Sequence, residues 1–258
     1  MSASRVLRIR QVTDLPHQTI GFELTDLPGD EFLLVVPELV SDAEEALLPW
    51  SHPSPRWEIG QDSAHCMIDI DRAILMEADV VFRGEDISIA VTVTNLSERI
   101  WRLANLFTCF AFYRAPRFND PDLRRTFIPI GARRWKSVGE LFAERDPGPD
   151  RHTFFPVRGG PPLEEMWVCR AIDQNHPQVA SQGAMCVVSS DGEWVAGMTS
   201  PKPVYLFNNR RLHCIHADPL LGTVRPGQVA QGVSTLHIFR GTLEDYEKRL
   251  IDSACLHG

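Results

Sequence analysis

The chain has 258 residues, 43% of them hydrophobic and 23% charged, an ordinary globular composition long enough to bury a core without staples. With 26 basic and 34 acidic residues the net charge is −8, which argues against a whole-surface role on nucleic acid or an anionic membrane. No run of about 18 apolar residues exists, so no spanning helix is expected, and residues 1–12 lack the apolar stretch of a secretory signal.

Val6, Leu7 and Ile9 open a first strand, and residues 20–24 form a second. Leu27-Pro28-Gly29-Asp30 is a turn, and 32–36 is a continuous apolar run. Short apolar runs bounded by Gly, Pro and Asp favour strands over helices. Residues 42–48 read as one or two helical turns, and 50–57, with Pro53 and Pro55, as a loop. Cys66-Met67-Ile68-Asp69-Ile70 alternates, as does 87–94, which is the period of half-buried strands. Arg83-Gly84-Glu85-Asp86 turns between Val81 and Ile87. Asn95-Leu96-Ser97-Glu98 closes the second strand; its formal glycosylation sequon is read as a turn.

Residues 106–113 (LFTCFAFY) form a dense aromatic strand. Residues 115–162 are rich in Arg, Pro and Gly and read as a long irregular loop. Inside them Ser137 and Glu140 make a capping box for a short helix over 137–145. Segments 166–172, 184–189, 194–199 and 204–207 read as strands, with a hairpin turn at Ser190-Asp191-Gly192-Glu193. Residues 220–224 lead into Arg225-Pro226-Gly227-Gln228, with Pro and Gly at type II positions, and 233–240 is a last strand. Thr242 with Asp245 caps a closing helix that carries Leu243, Tyr246, Leu250 and Ile251 on one face. The expected fold is mostly β: a single antiparallel β-sandwich domain over 1–258, supersandwich-like, with two or three short helices and a long loop region at about 115–162.

Six cysteines are scattered without a CxxC pair. Cys66, Cys109, Cys169 and Cys186 sit in apolar runs and read as buried free thiols in a reducing, cytoplasmic compartment. Arg outnumbers Lys by 23 to 3, and residues 99–170 carry a local basic excess. A planar guanidinium suits carboxylates and phosphates, so Arg114, directly after a buried strand, is a candidate anion clamp.

No Walker loop, GxGxxG, HExxH or GxSxG is present. Candidate chemistry lies in polar clusters. In 208–219, which holds Asn208, Arg210, His213 and His216, His216 and Asp218 stand two apart and share a strand face. That spacing suits an acid/base pair or a carboxylate orienting an imidazole. A second cluster, Arg170 to Pro177, holds His176 in a loop. His65, His176, His213 and His216 are candidate ligands for one divalent metal ion; the alternative is no cofactor. Trp50, Trp57 and Trp135 lie in or beside loops where they could stack on sugar faces, whereas Trp101, Trp167 and Trp194 read as core.

Two stretches resemble the galactose mutarotase-like family of β-supersandwiches. One is Val93-Thr94-Asn95-Leu96-Ser97 ahead of the 106–113 strand. The other is Ile215-His216-Ala217-Asp218-Pro219 followed by Arg225-Pro226-Gly227, and Asp173-Gln174-Asn175-His176 is a looser echo. The chain has Cys109-Phe110 where the family has His-Pro, and Asp218 where it has Glu. The resemblance implies a sugar-handling sandwich. The expected function is an isomerase, epimerase or lyase acting on a sugar or sugar acid by proton abstraction and donation. His176, His216 and Asp218 would be catalytic, and Arg114, Arg170, Asn208 and Arg210 would bind substrate. The alternatives are a metal-dependent version of that enzyme and a non-catalytic sugar-binding module. The partner is a small-molecule or oligosaccharide substrate, without nucleic acid or membrane, and nothing in the sequence fixes the oligomeric state.

Overall fold

Seventeen strands, three α-helices and one 3₁₀ turn make up the computed structural model, which describes residues 5–15, 19–52, 55–131, 134–144 and 152–256. Pro53, Arg145 and the Cys255 side chain lie outside the described residues. The first sheet holds β1 (Val6–Gln11), β2 (Thr19–Leu24), β3 (Glu31–Ser41), β4 (Ala46–Leu48), β9 (Trp101–Ala111), β12 (His152–Pro156), β15 (Pro203–Asn209) and β16 (Cys214–Val224). Its order is β1-β2-β3-β9-β16-β15-β12, with β4 paired to β3. The second sheet holds β5 (Glu58–Ile59), β6 (Ser63–Ile70), β7 (Ile74–Arg83), β8 (Asp86–Asn95), β10 (Thr126–Gly131), β11 (Arg134–Ser137), β13 (Ala184–Val188), β14 (Trp194–Thr199) and β17 (Val229–Arg240). It runs β11-β10-β13-β14-β17-β8-β7-β6-β5. Every pairing between these strands is antiparallel, so the protein is a mostly β antiparallel sandwich.

Strand period sorts the side chains into three layers. Between the sheets lies one core in which Phe22, Phe32 and Phe110 of the first sheet meet Met76, Val91, Val93 and Ile238 of the second. The far face of the second sheet is covered by α3 (Leu243–Leu256), whose Tyr246 is fully buried. Gly197 makes this possible: a Cβ there would stand 2.6 Å from the Tyr246 ring. The far face of the first sheet carries Leu39, Phe107, Phe154, Tyr205 and Phe207. It is covered by Leu163, Met166, Val168 and Cys169, from the 3₁₀ turn Leu163–Glu165 and α2 (Trp167–Ile172).

Three expectations are corrected. Residues 166–172, read as a strand, hold α2, which ends on Asp173 in the left-handed conformation at φ 53°. A seven-residue run, apolar but for Arg170, carries too little period to separate helix from strand. Residues 42–45 are not helical, because the Asp42 carboxylate accepts the Glu44 and Glu45 amides in a turn that leads into β4. The described residues of 115–162, read as a long loop, contain β10, β11, β12 and α1 (Val138–Glu144). The Ser137–Glu140 capping box of α1 forms as read, with Ser137 N donating to Glu140 at 3.0 Å and Glu140 N to Ser137 Oγ at 3.2 Å. The Asn95 side chain is buried and ties down its turn, donating to the Arg99 and Val224 carbonyls at 2.7 and 3.0 Å. No helix among the described residues is long and apolar enough to cross a membrane.

Candidate active site

Two neighbouring central strands supply the floor of a cavity on the far face of the first sheet. Ile215 and Ala217 of β16 enter the intersheet core, so Cys214, His216 and Asp218 must point the other way. On β9, Phe110 turns inward while Phe107 and Cys109 turn outward. The register that pairs Ile215 with Phe110 sets His216 opposite Cys109.

The third contributor comes from an irregularity in β3. Val35 pairs with Cys109 and Leu39 with Phe107, so β3 carries two extra residues between those points. Pro37 lacks the N–H that a regular central strand needs, and a bulge is where it is tolerated. The bulge re-aims Glu38 into the cavity. A lone acid after a proline inside an apolar run was the available sequence signal for this residue.

The cavity encloses about 490 Å³. Its walls are aromatic, from Trp50, Phe107 and Phe207, with Ile172 beside them. Glu38, His216, His152, Gln174 and Asn209 bring polar groups into the same space. Gln174 is held by its carbonyl, which accepts the Phe154 amide at 2.8 Å and Thr153 Oγ1 at 3.0 Å.

Electrostatics separate the roles. Burial pushes the Glu38 carboxyl up to about 7; Asp218 adds to this, while His216 and hydrogen bonds from Cys109 and Trp50 oppose it. Burial acts against charge on both His216 and Asp218. The nearby Asp218 carboxylate, with Nδ1–Oδ2 at 3.4 Å, prevails on His216 and raises it to about 10. Burial raises the Asp218 carboxyl as well, while His216 and the Thr108 amide, which donates to Asp218 Oδ1 at 2.7 Å, act the other way. His216 packs between Phe107 and Phe207, with ring centroids 4.3 and 4.9 Å away. The Cys109 and Cys214 thiols are hydrogen-bonded to each other. That contact and burial hold Cys109 neutral, and burial chiefly does so for Cys214. No described cysteine is in a disulfide, and Cys66, Cys109, Cys169, Cys186 and Cys214 are all buried.

Of the residues singled out from the sequence, His216 lines the cavity and Asp218 stands behind it. The others do not join them. His176 packs on Phe155, a residue of the intersheet core, at 5.2 Å, and its Nδ1 accepts the Gln178 amide. Arg114 is engaged by Asp14 at 2.5 Å and Glu31 at 3.3 Å. Arg170 donates to the Glu164 and Ala43 carbonyls. Asn208 is buried on the opposite side of β15 from Asn209, and Arg210 lies in the following turn. His65 pairs with Asp79 on the second sheet, and His213 is a half-buried turn residue at φ 46°. Among the tryptophans, Trp50 faces the cavity, Trp57 is buried, and Trp135 packs on Tyr246. Glu38, His152, Gln174 and Asn209 are the polar lining residues to which the sequence reading gave no role.

No protein-family model matches the chain, and no curated protein matches it in sequence. Similarity appears among solved structures. The Slr1438 protein from Synechocystis sp. PCC 6803 superposes with a TM-score of 0.50 at 10% identity, over 93% of this chain and 97% of that one. The likeness is one of fold. A galactose mutarotase related enzyme from Lactobacillus acidophilus matches with a TM-score of 0.48 at 8% identity, over 88% and 92% of the two chains. A proposed aldose 1-epimerase from Escherichia coli K12 matches with 0.40 at 12% identity, over 74% and 70%.

Proposed function

We propose that this protein is a carbohydrate-active enzyme that isomerises or epimerises a sugar or sugar acid by proton abstraction and donation. The supporting observation is that Glu38 and His216 face one cavity whose walls are Trp50, Phe107 and Phe207. Aromatic faces accept the C–H faces of a pyranose. Asn209, Gln174 and His152 offer donors and acceptors for its hydroxyls. The cavity volume fits a ligand of monosaccharide size.

In this reading Glu38 carries the proton, since a carboxyl poised near neutrality is effective as both acid and base. His216 is the positively charged partner whose field stabilises the oxygen on which negative charge develops. Asp218 orients His216 and balances its charge. His176, Arg114 and Arg170 have no role in this mechanism, because they stand outside the cavity.

The test is a panel of aldoses and sugar acids incubated in D₂O and followed by NMR for anomer exchange or deuterium incorporation. Turnover of one of them, reduced about 10²–10⁴-fold in Glu38→Gln, is the expected result. Sugar binding without turnover would support a binding module instead. Full activity in Glu38→Gln would remove the proposed proton carrier.

A further inference from the structure

We propose that Cys109, Cys214 and His216 form a binding site for one zinc-class divalent transition-metal ion, with a fourth coordination position open to the cavity. The ligand atoms of these three residues all lie within 4.8 Å of one another, and the three residues are fully buried. Cys214 Sγ and His216 Nε2 stand 3.4 Å apart. Tetrahedral zinc with bonds of about 2.0–2.3 Å holds its ligand atoms about 3.3–3.8 Å from each other. The approach needed to close the site is therefore small.

The chemistry of the donors fits as well as their spacing. Two sulfurs and an imidazole nitrogen form a borderline-soft set that selects zinc-like ions over magnesium or calcium. Two thiolates neutralise a dication, so the ion and its two sulfur ligands together carry no net charge in a buried place. His216 turns Nε2 toward the sulfur and Nδ1 toward Asp218 Oδ2, which is 3.4 Å away. Asp218 is itself fixed by the Thr108 amide. A carboxylate behind the far nitrogen of a ligating imidazole is the arrangement that orients metal-bound histidines. The ligands sit on β9 and β16, adjacent strands at the centre of the sheet, where the backbone is held on both sides. Three protein ligands and an open side are the pattern of catalytic rather than structural zinc. Here the open side is the cavity, which both His216 and Glu38 line.

On binding, two S–metal bonds and one N–metal bond form, and the thiol protons and the His216 Nε2 proton pass to solvent. The ion at the open position then acts as a Lewis acid toward an oxygen in the cavity, and Glu38 remains beside it. The inference goes beyond the sugar-directed reading and can be tested without any sugar.

The experiment is titration of the reduced, chelator-treated chain with Co²⁺ alone, followed by displacement with Zn²⁺. One equivalent of Co²⁺ should bind, giving thiolate-to-cobalt charge-transfer absorption and tetrahedral d–d bands that Zn²⁺ abolishes. Cys109→Ser, Cys214→Ser and His216→Gln should each lose this spectrum, whereas Cys186→Ser, a buried thiol elsewhere, should keep it. Asp218→Asn, which alters only the residue behind His216, should weaken binding about 10–100-fold. A wild-type chain with no charge-transfer band overturns the proposal whether or not the variants fold. So does a band that survives in both Cys109→Ser and Cys214→Ser. A Cys109–Cys214 disulfide in the untreated protein, with no metal bound after reduction, overturns it in favour of a redox pair. Failure of sugar turnover with an intact cobalt spectrum would count against the enzyme reading alone.

Discussion

Glu38→Gln should make the protein less sensitive to alkali. In the native state burial lifts this carboxyl from 4.5 to about 7. The folded chain therefore holds a proton that the unfolded chain has released. Stability from this group is complete below 4.5 and is lost as pH rises through about 7. The displacement corresponds to about 3 kcal/mol. Glutamine cannot ionise, so the variant escapes that loss. It also loses the carboxylate hydrogen bonds with Trp50 and Cys109, an offset that does not follow the Glu38 titration. The measurable quantity is the change in the difference between the two proteins across the pH interval. With a urea slope of about 2–3 kcal/mol/M, the gap between their midpoints should change by about 1 M. Urea unfolding of chelator-treated protein, followed by tryptophan fluorescence at a series of pH values, measures it. Parallel stability curves for wild type and Glu38→Gln from 4.5 to above 7 would show that Glu38 is solvated as an ordinary carboxylate, and the electrostatic reasoning would fail.

Trp50→Phe keeps an aromatic wall but removes the N–H that opposes protonation of Glu38, so the Glu38 midpoint should move upward from about 7. Isotope-edited infrared titration of that carboxyl reads the shift, and an unchanged midpoint would deny the hydrogen bond. Asn95→Ala strands the buried Val224 carbonyl and undoes the turn after β8, at a cost of about 1–3 kcal/mol; a melting temperature equal to wild type would contradict that role. Gly197→Ala drives a Cβ against the buried Tyr246 ring and should destabilise by about 1–3 kcal/mol, with loss of α3 helicity preceding the loss of strand signal. A neutral substitution there would mean that α3 is not seated against the sheet.

Where one side of a strand is buried and the other exposed, the sequence is readable. Ile87, Ile89, Val91 and Val93 all fall on the buried face of β8. The same parity put His216 and Asp218 on one face of β16 before any coordinates. Both capping boxes are local, joining residues three apart, and both form. Glu38 escaped because β3 is buried on both faces and carries no alternation to violate. Its aim comes from a bulge that exists only when β3 is paired to β9. Cys109 and Cys214 each looked like a small buried hydrophobe, and each is one. Their proximity is made by pairing strands far apart in the chain, which no local pattern announces. His176 shares a loop with Gln174, but only the register of that loop against β12 decides which side chain reaches the cavity.

The most direct measurement is a comparison of binding and turnover in Glu38→Gln and Trp50→Ala, using the sugar that the panel identifies. Binding is read from tryptophan fluorescence and turnover from NMR exchange. Glu38→Gln should retain KM and lose about 10²–10⁴-fold in kcat, the signature of a group that acts on the proton rather than on the ligand. Trp50→Ala should raise KM. Undiminished kcat in Glu38→Gln, or sugar binding that ignores both substitutions, would place the chemistry outside this cavity.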